Sequence, residues 1–279
     1  MSELLELGKN ACDAKYVLQK LTTEEKNKAL QTAANDLCER QEEILAANVL
    51  DLENGKNNGM NPGLLDRLKL TGERIAQIAE GLRQIAALPD CIGETMEHFE
   101  RPNGLKIDKV RVPLGVIGII YEARPNVTAD AFGLCFKTGN AVILKGGSDA
   151  IHSNIAIVKV LQDALEACSM PRTAVQLIED TDRAVTAQFM KMKEYVDVLI
   201  PRGGAGLIRS VVENSTIPVI ETGTGNCHVY VDKDADVDMA VKILMNAKTQ
   251  RIGVCNACES LVVHRAVRDK FLSLIHISE

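Results

Sequence analysis

The sequence predicts an α/β fold, in which a parallel sheet carries helices on both faces. Two features of the chain favour this class. From Val110 onward, short runs of aliphatic and β-branched residues alternate with helical stretches, which is typical of parallel strands buried on both faces. Before that point, apolar residues recur at helical spacing. The chain has 279 residues, enough for a large core and more than one domain.

The N-terminal third is predicted to be helical. Thr22-Thr-Glu-Glu25 fits a capping box, in which a hydroxyl and a carboxylate satisfy N–H groups of the first helical turn. A stretch rich in Asn and Gly, 54–63, is expected to separate two helices. The residues expected on the buried faces recur every three or four positions: Leu30, Ala33, Ala34, Leu37, Ile75, Ile78, Ala79, Leu82, Ile85 and Ala86.

The remaining elements follow from changes of pattern along the chain. Alternating polarity over 98–112, around Arg101-Pro-Asn-Gly104, predicts a two-stranded arm that turns at Asn-Gly. Strands are predicted at 116–121, 141–144, 174–178, 196–200, 219–221, 229–232 and 261–263. Helices are predicted at 129–136, 151–167, 181–192, 207–214 and 237–248.

Composition excludes several classes of function. Trp is absent, aromatic residues make up 3% and the net charge is −6, so a base-stacking nucleic-acid surface is not expected. The acidic N-terminus has no signal-peptide pattern, and no apolar run has membrane-spanning length. The eight cysteines follow no disulfide rhythm. We therefore expect a cytoplasmic protein with free thiols, without nucleic-acid or membrane partners.

Four motifs in order resemble the aldehyde dehydrogenase superfamily. The first is Val112-Pro-Leu-Gly-Val-Ile-Gly-Ile-Ile-Tyr-Glu-Ala-Arg-Pro-Asn126, whose last six residues narrow the resemblance to the gamma-glutamyl phosphate reductases. The likeness runs from Met1 to about Phe271 and departs at Ile252-Gly253, where Pro-Ser is expected. The other three motifs are Ile200-Pro-Arg-Gly-Gly-Ala-Gly-Leu-Ile208, Glu221-Thr-Gly-Thr-Gly-Asn-Cys-His-Val-Tyr-Val-Asp232 and Asn246-Ala-Lys-Thr-Gln-Arg251.

The resemblance implies a domain organisation. Residues 1–94 and 114–247 would form a Rossmann-like NADP-binding domain, and 95–113 a small β oligomerisation arm. Residues 248–271 would begin a catalytic domain that is incomplete because the chain is C-terminally truncated. Residues 272–279 fit the family poorly and are expected to be a non-native tail; the alternative is a short paralogue that ends in an apolar strand.

Cys255 is implied to be the catalytic nucleophile. A thiolate is the reactive form, and Lys248 and Arg251 are near enough in sequence to stabilise one. Asn126 would donate to the developing oxyanion together with the backbone N–H of Cys255. The plainer alternative is a buried structural cysteine, as expected for Cys12, Cys38, Cys135 and Cys168. Cys255-Asn-Ala-Cys258 spells C-x-x-C, but the chain has no second C-x-x-C and no His at metal-ligand spacing from it, so no metal is expected.

Two charged residues complete the implied reaction site. Glu221 matches the general-base glutamate of hydrolytic relatives, but water attack would waste an acyl group that must be reduced, so its role stays open. Arg124 would hold the acyl phosphate or the α-carboxylate of the substrate. Its alternative is a salt bridge to Glu122 or another carboxylate.

The implied cofactor is NADP. Lys145-Gly-Gly-Ser148 would contact the adenosine ribose and its 2′-phosphate, through Lys145, Gly146 and Ser148. Arg202, Gly203 and Gly204 precede a predicted helix whose N-terminus would bind the pyrophosphate. Gly223 and Gly225 would let the backbone pass close to the nicotinamide. Taken alone, a lysine after a strand is usually solvated, and such glycines usually serve turns.

The activity implied is NADPH-dependent reduction of L-glutamyl 5-phosphate to L-glutamate 5-semialdehyde and phosphate, in proline biosynthesis. The reaction would pass through a thioester on Cys255. A homo-oligomer and an association with glutamate 5-kinase are also implied. Two alternatives stay open: another aldehyde dehydrogenase or acyl reductase, and an inactive nucleotide-binding fragment.

Overall fold

The computed structural model describes residues 2–122, 124–223, 225–250 and 254–277. The chain divides into two compact units, Met1–Glu221 and Thr222–Glu279. Each unit has its own hydrophobic core. The predicted boundary between cofactor domain and catalytic segment, 247/248, lies inside the second unit; the domain assignment itself stays a prediction.

Helices fill the N-terminal part of the first unit, as predicted. The capping box is confirmed, because Thr22 Oγ1 accepts from the N–H of Glu25 at 3.2 Å and the carboxylate of Glu25 accepts from the N–H of Thr22 at 2.7 Å. All ten residues predicted on the buried faces are buried. The five helices are α1 (Ser2–Leu18), α2 (Thr23–Glu39), α3 (Gln41–Asn57), α4 (Pro62–Leu68) and α5 (Gly72–Ala87).

The break predicted at 54–63 is shorter than expected. Helix α3 continues to Asn57, and only 58–61 separate it from α4. Gly55 is buried in the last turn of α3, where a Cβ would meet the side chain of Leu65 at 3.1 Å. Packing on α4 therefore keeps helical a segment whose composition favours a loop.

The predicted two-stranded arm is confirmed. Strand β1 (Thr95–Glu100) pairs antiparallel with β2 (Lys106–Val110), with Glu100 opposite Lys106. Gly104 in the turn has φ +82°, a conformation that favours glycine. Every residue of both strands is exposed in this chain.

The first unit contains a four-stranded parallel sheet, as the predicted fold class requires. The spatial order is β5-β4-β3-β6, so the chain moves outward from β3 and then returns to its other side. The strands are β3 (Val116–Tyr121), β4 (Ala141–Lys145), β5 (Val175–Leu177) and β6 (Val198–Arg202). The strands are connected by α6 (Pro125–Lys137), α7 (Ile151–Ala167) and α8 (Arg183–Phe189), and α9 (Ala205–Asn214) follows β6.

The strand predicted at 219–221 is wrong. Val219 makes only an isolated bridge to Leu199 of β6. The backbone of Leu199 donates to Pro218 O and accepts from Ile220 N, each at 2.9 Å. Pro218 has no N–H of its own to extend the ladder.

The second unit is a small α/β element. Strands β7 (His228–Val231) and β8 (Ser260–Val263) run parallel, and α10 (Val237–Thr249) connects them. The last element is a helix, α11 (Arg268–Ile277). The alternative of a short paralogue had predicted an apolar strand at this end of the chain. Its Phe271 is fully buried with Val231, Val237 and Ala240. Within the described part of the chain, no helix combines the length and apolarity needed to cross a membrane.

Candidate cofactor and nucleophile sites

A cavity of about 740 Å³ opens at the carboxyl ends of β3 and β4 in the first unit. It lies close to the point where the strand order reverses, next to β3, which is the usual region for a ligand in an open parallel sheet. Its walls are Ile120, Tyr121, Glu122, Lys145, Gly146, Gly147, Ser148, Thr181, Arg183, Thr186, Ala187, Met190, Lys191, Gly206, Leu207, Ser210 and Asn214.

Three of the predicted cofactor residues, Lys145, Gly146 and Ser148, line this cavity together. Lys145 is the last residue of β4, and its Nζ donates to Gly146 O at 3.2 Å. Burial lowers the pKa of Lys145, while the charge of Asp180 opposes that shift. The ammonium group is therefore largely removed from water at the cavity wall, where its electrostatic attraction to an anionic group is stronger than in solvent.

Gly146 lets the loop after β4 pack directly against Asn154 and Tyr121, where a side chain at this position would clash. A Cβ at this position would lie 2.3 Å from Asn154 Nδ2 and 3.3 Å from the Tyr121 side chain. Asn154 Oδ1 accepts from Thr128 Oγ1 at 2.9 Å, and Thr128 Oγ1 lies 2.8 Å from the Tyr121 hydroxyl. In the described part of the chain, Asn154 Nδ2 is the one buried side-chain nitrogen or oxygen that lacks a partner.

These features fit a nucleotide in size and in donor chemistry. The cavity volume lies within the range of small-molecule sites. Lys145 and Ser148 supply a cation and a hydroxyl to the cavity wall at the loop that follows β4, and the unpaired amide of Asn154 lies behind Gly146 of that loop without lining the cavity. A buried unpaired donor beside a cavity is the arrangement expected where an oxygen of a ligand or an ordered water completes the site.

Helix α9 brings its first turn to the same cavity. Gly204 is its N-cap and supplies no side-chain cap, so the first N–H groups remain available to an anion. The wall itself is formed by Gly206, Leu207 and Ser210. The predicted Arg202, Gly203 and Gly204 are not wall residues: Arg202 ends β6, and the two glycines form the turn that leads into α9.

Several cavity residues were missed by the sequence argument. Arg183 begins α8, Lys191 follows that helix, and Thr181 precedes it. With Lys145 they give the cavity three cationic side chains against the single carboxylate of Glu122. The only recognisable signal in this part of the sequence is Asp182, a helix cap whose side chain accepts from Ala184 N at 2.8 Å. The fold, and no local motif, brings them to the cavity.

The predicted oxyanion donor, Asn126, lies in the first turn of α6 and is exposed. Its Nδ2 donates to Asp130 Oδ2 at 3.1 Å. Burial raises the pKa of Asp130, and the hydrogen bond from Asn126 and the charge of Arg202 partly offset this rise. An amide nitrogen carries two hydrogens, and this bond uses one of them. Arg124 is half-buried at the N-cap of the same helix.

The predicted nucleophile, Cys255, is exposed in the turn between α10 and β8 of the second unit. Its carbonyl accepts from the Cys227 thiol at 3.4 Å. Lys248, predicted to support a thiolate, donates instead to Cys258 O at 2.9 Å. Arg251, Ile252 and Gly253 lie outside the described residues.

The remaining predicted residues lie at or near the boundary of the two units. Glu221 is exposed at the end of the first unit. Gly223 and Gly225 are exposed in the second, with open space around the position of a Cβ. Among described residues, no group of three or more His, Cys, Asp or Glu side chains is arranged to hold a metal ion.

The comparison with known families decides the relationship. The model of the aldehyde dehydrogenase family matches residues 3–276. The chain belongs to the aldehyde dehydrogenase family. Its fold accordingly resembles a probable aldehyde dehydrogenase from Listeria monocytogenes, with a TM-score of 0.76 at 18% identity, covering 99% of this chain and 58% of that one.

Within the aldehyde dehydrogenase family, this member groups with the gamma-glutamyl phosphate reductases. It is 61% identical to that protein of Heliobacterium modesticaldum over 271 residues, covering 97% of this chain and 65% of the relative. The crystal structure of gamma-glutamyl phosphate reductase from Thermotoga maritima is 46% identical with a TM-score of 0.89, covering 99% of this chain and 67% of that one. The chain therefore spans about two thirds of the length of the gamma-glutamyl phosphate reductases that it matches.

Proposed function

We propose that this chain carries the cofactor site and the nucleophile of an NADP-dependent gamma-glutamyl phosphate reductase. The reaction is reduction of L-glutamyl 5-phosphate to L-glutamate 5-semialdehyde with release of phosphate, in proline biosynthesis. The observation that carries the proposal is the 61% identity to a protein of that name over 97% of this chain. A nucleotide-sized cavity and an exposed Cys255 support it from the structure.

Cys255 is the proposed nucleophile. Its sulfur attacks the acyl carbonyl of the substrate, phosphate leaves, and a thioester remains on the chain. The family resemblance assigns the side-chain amide of Asn126 and the backbone N–H of Cys255 as the donors to the oxyanion, where negative charge develops. NADPH, when bound, supplies the hydride that reduces the thioester and so frees the aldehyde.

Arg124 is proposed to bind an anionic group of the substrate, and Glu221 is assigned no step. An arginine fork suits either the acyl phosphate or the α-carboxylate. Glu221 would activate water in a hydrolytic relative, but this reaction gains nothing from water at the thioester. A Glu221→Gln variant that keeps most of its turnover agrees with this assignment, whereas loss of turnover would give Glu221 a role in proton transfer.

NADP is proposed to bind in the cavity of the first unit. Lys145 and Ser148 bind the adenosine ribose and its 2′-phosphate, and Arg183 adds positive charge to the same cavity. The first turn of α9 receives the pyrophosphate, since Gly204 leaves its N–H groups uncapped by a side chain. Titration with NADP⁺ and NAD⁺ separates the two cofactors, because only the first carries the 2′-phosphate.

The quaternary state and setting are proposed from the arm and the family. Met96, Phe99 and Ile107 are 47%, 45% and 38% exposed on the arm, and they support homo-oligomer formation through it. We also propose a cytoplasmic location and an association with glutamate 5-kinase, the enzyme that would supply the acyl phosphate. Sedimentation with and without residues 95–113 tests the oligomer.

A single substitution tests the reaction. In the reverse direction, with semialdehyde, phosphate and NADP⁺, Cys255→Ala should abolish turnover and leave NADPH binding unchanged. Cys38→Ala, at a half-buried position on α2, is the matched control and should keep activity. Turnover by Cys255→Ala would overturn the proposal. Turnover without phosphate would favour another aldehyde dehydrogenase, and nucleotide binding without any turnover would favour a binding fragment.

A further inference from the structure

The second unit places two cysteines together that are far apart in sequence. Cys227 immediately precedes β7, and Cys255 lies in the turn before β8. The two strands are parallel neighbours, with His228 opposite Ser260. Cys227 O accepts from Glu259 N at 2.9 Å and from Ser260 N at 3.2 Å, so the backbone at Cys227 is fixed against the entry to β8.

The sulfur of Cys227 lies against the backbone of Cys255. Cys227 Sγ donates to Cys255 O at 3.4 Å. A carbonyl oxygen lies roughly 2.5 Å from its own Cα, so Cys227 Sγ is within about 6 Å of the Cys255 Cα. Disulfides join residues whose Cα atoms are ~4.4–6.8 Å apart, so the proposed bond requires rotation of both side chains and a shift of the turn that carries Cys255.

Exposure distinguishes this pair from the C-x-x-C pair of Cys255 with Cys258. Cys255 is exposed and Cys227 is half-buried. Cys258 is only 5% exposed, its N–H donates to Ala247 O at 2.9 Å, and its thiol donates to Ser260 O at 3.3 Å. Cys258 is therefore anchored at both its backbone and its sulfur, and moving it toward Cys255 would break both contacts.

We propose that Cys227 is the resolving thiol for Cys255, and that a peroxide converts the two into a reversible disulfide. This site is additional to the proposed reduction. It blocks the sulfur proposed as nucleophile and prevents that sulfur from reaching irreversible oxidation states. The inference depends on the geometry of the second unit and does not require that the chain turn over a substrate.

The chemistry balances with hydrogen peroxide as the oxidant. The Cys255 thiolate attacks one peroxide oxygen, the O–O bond breaks and hydroxide leaves, which gives a sulfenic acid. The Cys227 sulfur then attacks the sulfenic sulfur, the S–O bond breaks, an S–S bond forms, and hydroxide leaves. The two thiol protons convert both hydroxides to water. The two sulfurs together lose two electrons, and a dithiol such as dithiothreitol returns these when it is itself oxidised to a disulfide.

Peptide mass mapping of the full chain tests the proposal. The chain is treated with an equimolar amount of hydrogen peroxide, free thiols are blocked by alkylation, and the digest is searched for cross-linked peptides. We expect the major cross-link to join Cys227 with Cys255, to be two hydrogens lighter than the free peptides, and to disappear with dithiothreitol. A dominant link between Cys255 and Cys258 would overturn the proposal.

Two variants make the result specific. Cys227→Ser should lose the cross-link, and Cys255 should instead gain two oxygens as sulfinic acid at increasing peroxide. Cys258→Ser should keep the Cys227–Cys255 link. Thermal unfolding of both variants shows whether the fold is kept, and Cys227→Ala replaces Cys227→Ser if the latter does not fold. Equal sulfinic acid formation in the wild type and in Cys227→Ser would also overturn the inference.

The readout separates this proposal from the proposed function. Mass mapping detects the disulfide whether or not the chain reduces its substrate. A chain without turnover that still forms the Cys227–Cys255 link keeps the disulfide proposal and loses the enzymatic one. A chain with turnover and no such link does the opposite.

Discussion

At the scale of single residues, a sequence motif marks which residue is a candidate for chemistry, and burial in the structure shows whether that residue is accessible. The motif around Cys255 marks it among eight cysteines, and the structure leaves it exposed. Lys145 was marked by the family resemblance, since a lysine after a strand is by itself usually solvated. Asn154 could not be found in this way, because nothing in its sequence neighbours shows that its amide meets Gly146. Such a contact exists only once β4 and α7 are packed.

The cysteines should differ sharply in reactivity. Burial raises the pKa of the Cys135 thiol to about 12, so almost no reactive thiolate forms there near pH 8. Cys255 is exposed. We expect iodoacetamide to label Cys255 first in the native chain and to reach Cys135 only in urea, as read by mass mapping. Labelling of Cys135 at the rate of Cys255 under native conditions would contradict the burial.

Gly146→Ala should weaken nucleotide binding. The new Cβ would lie 2.3 Å from Asn154 Nδ2, so either the amide or the loop after β4 must move. We expect NADP⁺ affinity to fall by about tenfold, or ~1.4 kcal/mol, in an isothermal titration. Gly63→Ala is the control, because its Cβ would meet only Asn61 Oδ1, at 3.4 Å, on the exposed first turn of α4. Unchanged affinity in Gly146→Ala would place the nucleotide away from this loop.

At the scale of elements, the sequence reveals local caps and misses those supplied by distant residues. The box of Thr22 and Glu25 was predictable because both partners lie within one turn. Helix α7 has no side-chain cap of its own. Its first N–H groups are satisfied by Asp51 from α3, which accepts from His152 N at 3.1 Å and from Ser153 N at 2.8 Å. The spacing between these partners, about a hundred residues, leaves no local pattern.

Asp51→Ala should destabilise the first unit and loosen the loop that carries Ser148. The buried carboxylate also accepts from Ser153 Oγ at 2.6 Å, so its removal leaves several buried donors unpaired. We expect a loss of about 2–3 kcal/mol in the free energy of unfolding, measured by urea denaturation. The control is Glu53→Ala, an exposed acidic position on the same helix. Equal stability of the two variants would show that the α7 cap contributes little.

The free energy of unfolding should depend on pH through a carboxylate at the contact between α2 and the segment after α5. Asp90 forms a buried ion pair with Lys26. Burial alone would raise the pKa of Asp90, but hydrogen bonds from Lys26, Ile92 N and Thr23 outweigh it and lower that pKa. A lowered carboxyl pKa contributes stability above the unfolded value of about 3.9, and this contribution is lost as pH falls through the folded value.

Asp90→Asn tests that dependence. At neutral pH it leaves the Lys26 ammonium buried without its partner, and we expect a cost of about 3–5 kcal/mol. The difference from the wild type should shrink as pH falls below roughly 4 and then through the lowered folded pKa of Asp90, because the carboxyl becomes neutral over that interval. Urea denaturation from neutral to acid pH measures this, with exposed Asp149→Asn as the control. A constant difference across the range would show that the ion pair is not the cause.

At the scale of the whole molecule, the two units should differ in their ability to fold alone. The large core runs from Leu4 to Ile217 and lies entirely within the first unit. Among the described residues of the second unit, the core cluster has four buried members, and small domains bury too little surface to be robust. We expect residues 1–221 expressed alone to unfold cooperatively and 222–279 alone to be largely unfolded, by circular dichroism.

The isolated first unit should also keep the adenosine part of the cofactor site. Every wall residue of the cavity lies before residue 222. Adenosine 2′,5′-bisphosphate is the suitable probe, because it lacks the nicotinamide, and its affinity should be within about twofold in the fragment and the full chain. A folded fragment that fails to bind this probe would show that residues after Glu221 complete the site.

The sequence by itself determined the α/β class, most element positions and the family, because periodicity, caps and motifs are local in the chain. It also marked Cys255 and Lys145. The tertiary structure alone decided which distant residues meet: Arg183 and Lys191 at the cavity, Asp51 at α7, and Cys227 beside Cys255. It also decided that 219–221 would not form a strand. The reason is that packing and backbone pairing between separate elements set these contacts, and no spacing along the chain records them.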